Sequence, residues 1–108
     1  MTTAEIKTNQ RRRDIDLAEA DMRQMLSAPS GRRILMRIVT LAGIYRSTSA
    51  SSDIGLAHEA GRRDLGLEIL AAANRADPGA VIAAYAERHE TIQARLAEVK
   101  TITQQKEQ

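Results

Sequence analysis

The near absence of aromatic residues limits what this chain can fold into more than any other feature does. Tyr45 and Tyr85 are the only aromatic residues among 108. A core must therefore be built from Leu, Ile, Val, Met and Ala, which suit closely packed helices. β-Sheets favour β-branched and aromatic side chains, so the composition predicts an all-α fold of one domain. Because such a core is thin, self-association is expected to add to its stability.

Helix-boundary residues divide the chain into a basic arm, a helical domain and a short tail. Residues 1–13 carry little apolar surface and end in three arginines, so they are predicted to form a flexible arm. Asp14 suits an N-cap and is expected to start the domain, which covers residues 14–102. Residues 103–108 are interpreted as a polar tail. The domain is predicted to be a small four-helix, mostly antiparallel bundle with a long C-terminal helix.

Apolar residues recur at helical spacing and mark the faces that are expected to be buried. These residues are Ile15, Ala18, Met22, Met25 and Leu26 in the first helix, Ile34, Leu35, Ile38, Leu41 and Ala42 in the second, and Leu65, Ile69 and Ala72 in the third. The third helix also contains Gly55, Gly61 and Gly66. Each costs up to roughly 1 kcal/mol relative to alanine, which indicates that another backbone crosses this helix at close range.

The fourth helix has the clearest pattern in the chain. Asp77 and Pro78 are an N-cap and a first helical residue, and the helix is expected to end near Ile102. Its apolar seam has the spacing of a heptad repeat and consists of Ile82, Tyr85, His89, Ile92, Leu96 and Val99. The part beyond Ile92 extends past what three other helices can cover, so Ile92, Leu96 and Val99 are predicted to contact another chain. An ordinary amphipathic helix packed on its own domain is an equally open alternative.

Arginine is distributed unevenly along the chain. No acidic residue lies between Asp21 and Asp53, whereas five arginines do, although the formal net charge is only +2. Two Gly-Arg-Arg motifs begin at Gly31 and Gly61, and each introduces an aliphatic helical segment. The arginines predicted to bind a partner are Arg32, Arg33, Arg37, Arg62 and Arg63.

Three uses of these arginines are open. Acidic residues of a neighbouring subunit are favoured, because the chain is basic early and slightly acidic late. Pairing within the chain, for example of Arg62 or Arg63 with Glu59 or Asp64, is the second use. Binding of nucleic acid phosphates is the third and least favoured use, because the net charge is small and there are few aromatic rings to stack on bases.

The sequence contains no motif that supports catalysis. There is no cysteine, so cysteine nucleophiles, disulfides and cysteine-based metal sites are excluded. His58 and His89 are each followed by Glu but lack the second His of a zinc-binding helix. We therefore expect a protein that is not an enzyme and uses no cofactor or metal. No apolar segment has the length of a membrane span, and we expect the protein in the cytoplasm.

Four segments of the chain together resemble a known family. They are LSAPSGRRIL (26–35), AGIYRS (42–47), HEAGRRDLGL (58–67) and Asp77-Pro78. Their order and spacing are similar to those of small tailed-phage proteins typified by one from a Bordetella podophage, over about residues 22–90. Members are usually encoded near portal and capsid genes, so the resemblance implies a virion protein or a head or portal assembly protein. It also implies partners, namely copies of the chain and other phage structural proteins, with DNA as an alternative, in the host cytoplasm.

Overall fold

The computed structural model describes residues 1–48 and 50–107 of the chain. Within these residues the secondary structure consists of four α-helices and no strand. The helices are α1 (Thr3–Leu26), α2 (Pro29–Ala42), α3 (Asp53–Ala76) and α4 (Pro78–Glu107). This confirms the all-α prediction and the long last helix.

The outer helix boundaries differ from those predicted. Helix α1 begins at Thr3, so the prediction that the first helix starts after Asp14 is wrong. A capping box explains the earlier start, because Glu5 N donates to Thr2 Oγ1 at 3.1 Å and Thr2 N donates to the Glu5 carboxylate at 3.2 Å. At the other end, α4 continues through Glu107 into the predicted polar tail, whose last residue, Gln108, lies outside the described residues.

The boundary between α3 and α4 was predicted correctly. Asp77 Oδ1 accepts a hydrogen bond from Ala80 N at 3.0 Å, as an N-cap does, and Pro78 is the first residue of α4. Only Asp77 separates the two helices, and only Ser27 and Ala28 separate α1 from α2. These short connections bring helix ends together and so decide where a core can form.

The core lies where the ends of α1 and α3 meet α2 and the first turns of α4. Helix α2 is central, since it contacts α1, α3 and α4. The buried apolar cluster consists of Leu26, Leu35, Met36, Val39, Ala73, Val81 and Ala84. We call this cluster and the residues packed on it the packed centre.

The buried face of α2 is rotated from the predicted one. Leu35 and Ala42 are buried as expected, but Ile34 and Leu41 are 50% and 56% exposed. Met36 and Val39 take their places, because α2 is covered by helices on the side that carries Leu35, Val39 and Ala42. The predictions that Ile15 of α1 and Leu65 of α3 are buried are also wrong, since both side chains are mostly exposed.

Two glycines allow the helices to approach closely. A Cβ atom at Gly31 would overlap the main-chain carbonyl of Met25, so the start of α2 packs directly on the backbone at the end of α1. A Cβ atom at Gly66 would overlap Ala42 Cβ, which allows α3 to lie against the end of α2. Gly61 has no such neighbour within 4 Å, so the expected close crossing occurs in α3 at Gly66 but not at Gly61.

The molecule is elongated, with principal extents of 79 × 39 × 15 Å. Every residue from Met1 to Ala18 is exposed, and so is every residue from His89 to Glu107. We call residues 1–18 and 89–107 the projecting segments. From Thr3 onward they are helical, but the rest of the chain does not cover them.

Candidate partner-binding surface

The first Gly-Arg-Arg motif divides its two arginines between the interior and the surface. Arg32 forms a two-point contact with Glu87 of α4, with Nε 2.9 and 3.1 Å from the two carboxylate oxygens and a terminal nitrogen 2.9 Å from Oε1. Its other terminal nitrogen donates to Leu26 O at 3.0 Å. Only 16% of the Arg32 side chain is exposed. Arg32 therefore ties α2 to α1 and α4, whereas its neighbour Arg33 is exposed.

In the second Gly-Arg-Arg motif the first arginine is exposed and the second makes contacts inside the chain. Arg63 donates to Gly43 O at 3.4 Å and to Arg46 O at 2.9 Å, both just after the end of α2. Arg62 is exposed beside a small pocket that Glu59 and Arg63 also line. Arg32 and Arg63 therefore make contacts inside the chain, which is one of the uses left open for these arginines, whereas Arg33 and Arg62 are the exposed members of the two motifs.

Arginines elsewhere in the chain also bind carbonyl groups at the ends of helices. Arg23 Nε donates to Ala76 O, the last residue of α3, at 3.1 Å, and Arg46 donates to Thr40 O of α2 at 3.2 Å. The last carbonyls of a helix lack intrahelical donors and carry partial negative charge, so a guanidinium stabilises them. Sequence reasoning missed this role because the acceptors are main-chain atoms, and no residue type in the sequence marks them.

The exposed arginines of α2 face a groove between α2 and α4. The groove has a volume of about 910 Å³, and we call it the basic groove. Met36, Leu41, Ala84 and Ile92 contribute its apolar surface. The charged side chains that line it are Arg33, Arg37, Glu87, Arg88, Glu90 and Arg95. The structure thus brings Arg33 and Arg37 together with Ile92, which sequence reasoning had assigned to a separate surface.

The face of α4 that is buried near its start continues without cover toward its end. Residues seven apart lie on one side of a helix, so Tyr85, Ile92 and Val99 share a side, and Val81 lies one turn before Tyr85. Val81 is buried, whereas Ile92, Leu96 and Val99 are 41%, 51% and 58% exposed. Ile82 and His89, which were predicted in the same seam, are exposed to one side of this face.

The two tyrosines meet where α4 leaves the packed centre. The hydroxyl oxygens of Tyr45 and Tyr85 are 2.8 Å apart, and the rings pack edge to face with centroids 6.3 Å apart. Burial of Tyr85, reinforced by the hydrogen bond to Tyr45, raises the pKa of Tyr85 to about 12. The pair therefore joins the segment after α2 to α4, and the Tyr85 hydroxyl stays neutral well above physiological pH.

The two histidines lie on different helices of the described part of the chain. His58 and His89 are both exposed, on α3 and α4. Among the described residues, no group of three or more His, Asp or Glu side chains is placed to hold a metal ion. None of the described helices combines the length and the hydropathy that a membrane span requires.

A family model matches the packed centre of this molecule. The model describes Bbp19-like phage proteins and matches residues 22–87. The chain belongs to the Bbp19-like phage protein family. This confirms the resemblance to a phage family. No curated protein and no solved structure is significantly similar to the chain. The Bbp19-like match ends at Glu87, the partner of Arg32, so both projecting segments lie outside it.

Proposed function

We propose that this Bbp19-like protein is a self-associating component of phage assembly, in the virion or at the head and portal, and acts through protein–protein contacts. Its assembly would take place in the host cytoplasm. Family membership supports the phage context. The observation that carries the proposal is the uncovered apolar seam of α4, formed by Ile92, Leu96 and Val99.

The seam is suited to contact with a second chain. The seam continues the face of α4 that is buried at Val81. The same side of the helix therefore packs on the packed centre near its start and is exposed to solvent near its end. Covering three half-exposed aliphatic side chains contributes on the order of 3 kcal/mol, and about 6 kcal/mol when a second copy contributes the same three. A micromolar complex requires about 8 kcal/mol of net binding free energy, so the seam needs support from further contacts.

Light scattering coupled to size-exclusion chromatography tests this proposal. The wild-type protein at tens of micromolar is expected to elute with a mass well above the 11.9 kDa of one chain. The double variant Leu96→Glu with Val99→Glu is expected to elute as a monomer, because charges on the seam cannot be buried. Gln93→Glu with Ala97→Glu adds the same two charges on another side of α4 and should leave the mass unchanged. A wild-type protein that is strictly monomeric would overturn the proposal.

Nucleic acid binding is the second candidate, and one observation favours it. Arg33 and Arg37 are exposed, and they share the basic groove with Arg88 and Arg95. Against it, the two tyrosines pair with each other, and residues 43–52 separate α2 from α3 by more than a helix-turn-helix allows. A filter-binding titration over a salt series separates the two candidates. Affinity for nucleic acid that is measurable throughout the salt series and falls steeply as salt is added favours nucleic acid binding. Weak binding that is already lost near physiological salt favours assembly.

A further inference from the structure

We propose that the basic groove binds the acidic segment of α1, residues 14–21, from a second copy of this chain. The contact would be head-to-tail, because the groove and the segment are different surfaces of the molecule. This inference rests on the proposed self-association and adds the basic groove, which includes Ile92 of the seam, to the contacts that support it.

The groove has the chemistry of a site for an acidic, partly apolar helix. Four arginines line it, Arg33, Arg37, Arg88 and Arg95, against two glutamates, one of which is Glu87. Glu87 is already paired with Arg32, which lies outside the groove lining. Among the described residues, none of the four lining arginines has an ion-pair partner within 4.0 Å. The groove therefore offers positive charge beside apolar surface.

The acidic segment of α1 carries the complementary pattern. Asp14, Leu17 and Asp21 are three and four residues apart, so they lie on one side of α1. All three are exposed, with Leu17 at 61%. The nearby Glu19 pairs with Arg23 of its own helix at 3.6 Å, whereas the described residues provide no ion-pair partner for Asp14 or Asp21. An apolar side chain between two carboxylates matches an apolar surface between arginines.

Geometry makes this a contact between copies. The end of α1 is held against α3 by the bond from Arg23 to Ala76 O and against α2 at Gly31. Its acidic segment therefore cannot turn back into the groove of the same chain. The groove has a volume of about 910 Å³ and is open to solvent, so it has room for the side chains on one face of a two-turn helix about 11 Å long. Repetition of a head-to-tail contact produces a ring if the rotation closes and a filament if it does not.

A charge exchange between two variants tests the contact. The groove variant is Arg33→Glu with Arg37→Glu, and the segment variant is Asp14→Arg with Asp21→Arg. In each variant alone, the groove and the acidic segment carry charges of the same sign. Each variant should therefore raise the dissociation constant for self-association at least about tenfold, as measured by sedimentation at low salt. An equimolar mixture should associate again, because each altered surface then meets its opposite. Circular dichroism checks that all proteins remain helical.

Matched controls change the same charges elsewhere. Arg62→Glu with Arg75→Glu reverses two exposed arginines of α3 that lie outside the groove and the acidic segment, and Asp64→Lys with Glu68→Lys reverses two exposed acids of α3. Both controls should associate as the wild type does. If the wild type associates but neither charge variant weakens it, or if the mixture stays dissociated, this contact is wrong and self-association stands. A wild type that never associates instead overturns the proposed function.

Discussion

The packed centre and the projecting segments contain the same kinds of residue and the same secondary structure, but they differ in what surrounds them. Leu26, Leu35 and Val39 are almost wholly buried in the packed centre, whereas Leu17 and Leu96 on the projecting segments are more than half exposed. Helix formation is local, because hydrogen bonds run along the chain and caps end them. Burial is not local, because it requires a second helix at the right place.

The two Gly-Arg-Arg motifs show the same difference at the scale of three residues. Gly31 presses against the backbone of α1, whereas Gly61 faces open space. Arg32 is bound to Glu87 and Leu26 O, whereas Arg33 beside it is exposed. Identical residues therefore differ in energetic importance, and paired substitutions can measure by how much.

The largest contrast is expected between the two glycines. Gly31→Ala should lower the free energy of unfolding by about 3 kcal/mol, because the new Cβ atom overlaps the Met25 carbonyl and the backbones must separate. Gly61→Ala should raise it by about 0.7 kcal/mol, since alanine favours the helix and nothing lies within 4 Å. Urea denaturation followed by circular dichroism measures both changes. Equal changes in the free energy of unfolding would contradict the difference in packing between the two glycines.

A smaller contrast is expected between the two arginines of the first motif. Arg32→Ala removes the donors to Glu87 and Leu26 O and should lower the free energy of unfolding by about 2 kcal/mol. Arg33→Ala should change it by less than about 0.5 kcal/mol, as expected for an exposed side chain. The same denaturation experiment measures both. A loss at Arg33 as large as that at Arg32 would contradict the assigned contacts.

The smallest effect is expected at the border between the two regions, in the titration of Tyr85. Its raised pKa means that the neutral form contributes stability below pH 10, and this contribution is lost as the pH rises through about 12. Tyr45→Phe leaves Tyr85 as the sole tyrosine and removes the hydrogen bond. The pKa of Tyr85 should then fall below about 12 but stay above 10.0, because burial is the main cause of the shift. Ultraviolet absorbance of the tyrosinate measures it, and a value of 10.0 or lower would refute the assignment.

Much of the fold could be predicted from local signals. The scarcity of aromatic residues indicated helices, and Asp77 with Pro78 marked the start of α4 correctly. The start of α1 was missed, because Asp14 is a good capping residue by type, whereas the cap in use is the pair Thr2 and Glu5. A residue of capping type starts a helix only where the residues before it are not helical, and here residues 3–13 are helical although they have no buried face.

The candidate site could be predicted only in part. Arg33, Arg37 and Ile92 were identified from the sequence, but their meeting in one groove depends on how α4 passes α2. Arg32 and Arg63 were assigned to partners because their residue type and spacing match those of Arg33 and Arg62. Their actual acceptors, Glu87 and main-chain carbonyls after α2, lie far away in sequence. No local pattern distinguishes an arginine that binds its own chain from one that faces solvent.

The sequence by itself determined that this protein is helical, roughly where its helices break, and that it belongs to a phage family. These properties depend on composition, capping and short motifs, whose effects act within a few residues. Only the tertiary structure decided which arginine of each motif is internal, which side of α2 is buried, and that the apolar face of α4 runs beyond its cover. Those outcomes depend on the approach of helix ends at Gly31 and across Asp77, because packing couples residues that are distant in the chain.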